Sequence, residues 1–147
     1  MQFTLENCIF CRIVRKEDSK TVIEHETDNV VIFKDIRPAA PHHYLAVSKV
    51  HIKNCKELTV EHKPLLEEMQ SALEKVLSEK NVNISTDSLF GFHWPPFTSI
   101  KHLHMHGMGP KGQMGFFGKL IFKPNNKWFC TTEYVMDWIQ KQPAAST

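Results

Sequence analysis

A chain of 147 residues, 41% hydrophobic and 23% charged, is one domain's worth of sequence with enough apolar material for a real core, which marks a globular chain rather than a disordered one and excludes a two-domain arrangement. A formal net charge of +2 is too mild to make a nucleic-acid backbone the main partner, and no apolar run approaches a membrane span. The stretch from Met1 to Asn7 lacks the charged and apolar blocks of a signal peptide, so the expected compartment is the cytosol, with the nucleus open to a chain this small.

Along the chain, Cys8 and Cys11 come first, at the C-x-x-C spacing of a metal or redox pair. With Cys55 and Cys130 they make four cysteines, which in a reducing compartment form no disulfide framework. The redox reading is the weaker, because it requires the motif after a strand and opening a helix within a βαβ unit. Residues 22–26 and 30–33 read as strands joined through Thr27, Asp28 and Asn29. Pro38 and Pro41 bound a short loop. His43, Leu45 and Val47 then alternate with His42, Tyr44 and Ala46, which suits a half-buried strand with two chemically distinct faces.

From about residue 60 to 78, Leu65, Leu66, Met69, Ala72, Leu73, Val76 and Leu77 recur at helical spacing. Thr59 is a suitable N-cap, and Pro64 falls at the end of the first turns. An apolar run at 89–92, a Pro95-Pro96 loop and a histidine-rich strand follow. A second, shorter helix after Thr131 and Thr132 is expected to bury Tyr134, Val135, Trp138 and Ile139. Turn-connected strands outnumber helices, so the expected fold is α+β: an antiparallel sheet of about five strands with one long and one short helix. It is one domain over residues 1–147, with about 1–6 and 141–147 as flexible tails.

The histidine-rich strand carries the main signal. Side chains alternate across a strand, so His102, His104 and His106 are expected on one face, with Leu103 and Met105 on the other. Their spread of about 13 Å from first to last is too wide for one metal to hold all three. Burying three imidazoles without partners would cost several kcal/mol, which weighs against plain packing. Imidazole is mostly neutral at pH 7 and has a free lone pair, so a flanked histidine suits nucleophilic attack at phosphorus.

The stretch His102-Leu103-His104-Met105-His106-Gly107-Met108 resembles the signature of the histidine triad superfamily, and the resemblance covers nearly the whole chain. Residues 8–13 are similar to the family's opening, and residues 33–45 and 49–52 to its second block. Residues 91–97, directly before the triad, are most similar to the branch that hydrolyses adenosine 5′-phosphoramidates. Gly107 departs from the pattern, which prefers a bulkier apolar residue there.

The resemblance implies a homodimer acting on small nucleotide substrates, with no nucleic-acid or membrane partner and no cofactor needed for catalysis. It implies His104 as the nucleophile that becomes transiently adenylylated, flanked by His106 and His102, with His43 as a fourth histidine. Ser99 would reach the phosphate or the leaving nitrogen, Asp35 would accept hydrogen bonds from the ribose hydroxyls, and Phe10, Phe33 and Ile36 would line the base. Plainer roles stand beside these: Asp35 as a turn residue, Phe10, Phe33 and Ile36 as ordinary core, and Ser99 as a solvated loop serine.

Cys8 and Cys11 have the spacing of structural zinc sites, and relatives complete such a site with a second-block histidine and the first triad histidine, here His51 and His102. A metal there would remove His102 from proton transfer; without one, the cysteines are buried small hydrophobes. Two other functions share these residues. A dinucleoside polyphosphate hydrolase or nucleotidyl transferase uses the same covalent histidine, whereas a metal-binding or scaffold module would have no need of His43, Ser99 and Asp35 together.

Overall fold

Two short strands separated by a polar turn form the first hairpin of the computed structural model, which describes residues 5–126 and 128–142. Strand β1 (Ile23–Glu26) pairs with β2 (Val30–Lys34), and Thr27 N–H donates to the Val30 carbonyl at 2.8 Å to close the turn. Strands β3 (His42–Ser48), β4 (Leu89–His93), β5 (His104–Gly109) and β6 (Phe129–Thr131) complete one antiparallel sheet in the order β1-β2-β3-β5-β4-β6. The architecture is α+β, with six strands where about five were expected. The extra one, β6, has three residues, too few for alternation to show.

The helices are α1 (Ile9–Val14), α2 (Lys63–Glu79), α3 (Ile84–Asp87), α4 (Phe116–Ile121) and α5 (Thr132–Gln140). Thr59 caps a separate 3₁₀ turn, Val60–His62, so α2 starts later than its apolar spacing suggested and Pro64 falls in its first turn. Proline fits there because those N–H groups have no intrahelical acceptor to lose. Helix α5 is capped by Thr131, whose hydroxyl accepts from Tyr134 N–H at 3.3 Å. It buries Val135 and Ile139 while Tyr134 stays exposed, a correction to the expected burial.

Both faces of the sheet are covered. One packs Val30, Ile32, Tyr44, Ala46 and Met105 against Leu66, Met69, Leu73 and Leu77 of α2. The other packs Val31, Phe33, Leu45 and Val47 under Phe10 and Ile13 of α1, and Met108 under Phe122 and Phe129. Strand β3 is therefore buried on both sides and not half-buried. The departure at Gly107 has a packing reason: a Cβ there would lie 3.0 Å from both δ-carbons of Leu73, so its absence lets α2 sit close on β5. Residues 1–4 and 143–147 of the expected tails lie outside the described residues. Within them, Leu5 N–H donates to Cys11 Sγ at 3.2 Å, and Gln142 N–H to the Ile139 carbonyl at 3.1 Å.

Candidate active site

Register places the reacting face. His104 lies opposite Val47, His106 opposite Leu45, and Met108 opposite His43. Paired residues share a face, so His43, His104 and His106 all point away from α2. Strand β5 begins at His104, so His102 is not on it, contrary to the expectation of three histidines on one strand face. His102 instead packs against Cys8, Cys11 and His51, and it meets His104 through its backbone carbonyl.

His104 Nδ1 lies 2.7 Å from the His102 carbonyl, which can only accept, so the proton sits on Nδ1 and Nε2 keeps its lone pair. Burial lowers the basicity of His104, which keeps it neutral and nucleophilic. Phe10 stands edge-on to this ring at 5.1 Å and to Phe33 at 5.5 Å.

A second chain of hydrogen bonds fixes the neighbouring histidines. Ala39 N–H donates to His43 Nδ1 at 2.9 Å, so the proton of neutral His43 is on Nε2. His43 Nε2–H donates to His106 Nδ1 at 2.9 Å, which places the proton of His106 on its Nε2. That N–H is buried and has no partner among the described residues, so it is poised to donate to an anionic oxygen. Burial pushes His43 down to about 4 and His106 well below its ordinary value, so both stay neutral. Asp35 Oδ2 lies 3.4 Å from His43 Nε2 and 3.7 Å from His106 Nδ1. These three donors could surround a cation, but the Ala39 N–H keeps a proton where His43 would need a lone pair.

Asp35 fills the turn role expected of it. Its Oδ1 accepts from Arg37 N–H at 2.8 Å, closing a turn, while Oδ2 faces the histidines. Phe10 and Phe33 are buried beside the site, but Ile36 forms the corner of that turn and is 92% exposed, so this chain alone does not fold it into a base pocket. Ser99 is exposed in the bend before the triad, while its neighbours Thr98 and Ile100 line a narrow cleft with His93, Asn54, His102 and His104. His93, at the end of β4, was not singled out from the sequence. Its signal lay in the pairing: Gly91 opposes His106, and alternation puts His93 on the same side.

Beneath the site, Cys8 Sγ and His102 Nδ1 are 3.3 Å apart, Cys11 Sγ and His51 Nδ1 3.3 Å, and the two Nδ1 atoms 3.2 Å. A tetrahedron with imidazoles at about 2.0–2.1 Å and thiolates at about 2.3 Å has edges of roughly 3.3–3.8 Å, so this donor set fits zinc. His102 Nε2 lies 2.7 Å from the Ser48 carbonyl, which holds the proton on Nε2 and leaves Nδ1 free for a metal. All four cysteines are free.

A sequence profile described as "Scavenger mRNA decapping enzyme C-term binding" matches residues 7–121. The chain is 44% identical to the Adenosine 5′-monophosphoramidase HINT3 of Xenopus tropicalis, over 91% of this chain and 88% of that protein. It is 42% identical to the Mus musculus protein of the same name, over 92% and 82% respectively. Among solved structures it is similar to a HIT family hydrolase from Clostridium thermocellum, with TM-score 0.66 and 33% identity over 72% of this chain and 92% of that one.

Proposed function

The chain belongs to the histidine triad superfamily, and from that premise we propose that it hydrolyses adenosine 5′-phosphoramidates to AMP and an amine through a nucleotidyl-His104 intermediate. One observation carries the reading: the His102 carbonyl holds the His104 proton on Nδ1, so a neutral Nε2 lone pair is available in a buried polar site. The relatives at 42–44% identity, each named a monophosphoramidase, support the leaving-group class.

In the first half-reaction His104 Nε2 attacks phosphorus and the P–N bond breaks. The His106 Nε2–H stabilises the charge gathering on the phosphoryl oxygens. Asp35 binds the ribose hydroxyls, Phe10 and Phe33 form the apolar wall beside the base, and Ser99 reaches the phosphate or the leaving nitrogen. Water then attacks the intermediate and restores His104.

Cys8, Cys11, His51 and His102 hold a structural zinc, which supplies folding energy and takes no part in the chemistry. The enzyme acts as a single-domain homodimer in the cytosol, with the nucleus open to a chain this small, on small nucleotides. Exposed Ile36, Phe116 and Phe117 offer apolar surface that a second copy would cover. A single-turnover assay with an adenosine phosphoramidate and a dinucleoside polyphosphate side by side tests the reading. Faster cleavage of the phosphoramidate is expected, and cleavage of the polyphosphate alone would overturn it.

A further inference from the structure

The hydrogen-bond chain poses a chemical problem. A departing amine needs a proton, yet His106 cannot release its Nε2–H without leaving an imidazolate in the buried pair, because His43 Nδ1 is already occupied by the Ala39 N–H. His106 is therefore fixed as a hydrogen-bond donor to oxygen. Another group must carry the proton.

We propose that His93 is the acid and base of the reaction, giving a proton to the leaving nitrogen and taking one from the attacking water. Its ring lies 4.8 Å from the His106 ring and is braced by Phe122 at 4.7 Å and Phe129 at 5.3 Å. Its Nδ1 lies 3.3 Å from the Trp128 carbonyl, an acceptor, so Nδ1 holds a proton and Nε2 is the atom that exchanges one. His93 is half-buried and lines the same cleft as His104, so a substrate reacting at His104 would lie beside its ring. Among the described residues, the charged and titratable groups facing it are His104 and His106 from β5, His43 from β3 and Asp35 past the end of β2. Burial lowers His93, and the Asp35 carboxylate opposes that shift.

The balance closes. In the first half-reaction the His104 Nε2 lone pair forms the new N–P bond. The old P–N bond breaks with its pair on the amine, and His93 Nε2–H supplies the proton, leaving neutral His93. In the second, water forms a P–O bond and its proton passes to His93 Nε2. The His104–P bond breaks with its pair returning to Nε2, which regenerates neutral His104 and protonated His93.

This inference rests on the proposed phosphoramidase reading, and one experiment separates the two. Wild type, His93→Gln and His93→Asn are compared on an alkylamine adenosine 5′-phosphoramidate and on the 4-nitrophenyl ester of AMP, whose leaving group needs no proton. General acid–base catalysis contributes about 10²–10⁴-fold, so turnover of the amine substrate should fall by that factor in either variant. The ester should still give a rapid burst of about one nitrophenolate per site, followed by slow release, with the nucleotidyl adduct persisting on His104. AMP affinity should stay within about twofold, which sets the effect apart from a misplaced strand. In wild type, kcat/KM should fall on the alkaline side along the NMR titration of His93, and that limb should vanish in the variants. Amine turnover within about threefold of wild type, equal losses on both substrates without a burst, or an alkaline limb that ignores His93 would overturn the proposal. If wild type itself leaves the phosphoramidate intact, the functional reading fails instead.

Discussion

Acidification should destabilise this protein through His43, and the size of the effect follows from its surroundings. The residue is 3% exposed, and its burial holds it near 4 against an ordinary value of 6.5. A depressed histidine means that the unfolded chain binds the extra proton first. Stability from neutral His43 is then fully present above pH 6.5 and is lost as pH falls from there toward 4. Each pH unit inside that window costs about 1.4 kcal/mol, so going from pH 7.5 to 5 removes about 2 kcal/mol through this residue alone. That is a large share of a typical total of about 5–15 kcal/mol. Urea unfolding of wild type and His43→Gln at pH 7.5, 6 and 5 isolates the term. The variant starts less stable, because Ala39 and His106 lose a shaped partner, but its decline with acid should be shallower by about 2 kcal/mol at pH 5. Parallel declines would show that His43 is not held neutral by the fold.

Three further outcomes follow. Protein purified without chelator should contain about one zinc per chain, and Cys8→Ser should lose it together with thermal stability; metal-free protein of full stability would reduce the cysteines to packing. Gly107→Val should cost about 1–3 kcal/mol by pressing on Leu73, with part of the loss recovered beside Leu73→Ala, as unfolding curves of the double-mutant cycle would show. Asp35→Ala should weaken AMP by about 1.5–3 kcal/mol in calorimetry, while GMP and AMP differ little in wild type; 2′,3′-dideoxy-AMP binding as well as AMP would confine Asp35 to its turn.

How much of this was legible depended on whether a residue's role is local. The alternation of His104 and His106 follows from strand geometry alone, and the face carrying His43, Leu45 and Val47 could be read the same way. The four sulfur and nitrogen donors needed the family pattern, since His51 and His102 are 51 residues apart and only the folded chain brings them to 3.2 Å. His102 looked like a strand residue because its spacing is right, but the strand starts two residues later and turns its ring toward the cysteines. Ile36 looked like a pocket residue until Asp35 closed the turn that exposes it. His93 gave no periodic signal; it joins the site because β4 and β5 pair at Gly91 and His106, a long-range fact. The tautomers of His43 and His106 were equally out of reach, being set by one backbone N–H from the loop at Ala39.

The central claim is that His104 is the nucleophile, and the most direct measurement is mass spectrometry of protein quenched during turnover of an adenosine 5′-phosphoramidate. A nucleotidyl adduct is expected on the peptide spanning His102 to His106, localised to His104 by fragmentation and absent from His104→Asn, which should still bind AMP. Normal turnover by that variant, or an adduct on any other residue, would contradict the account.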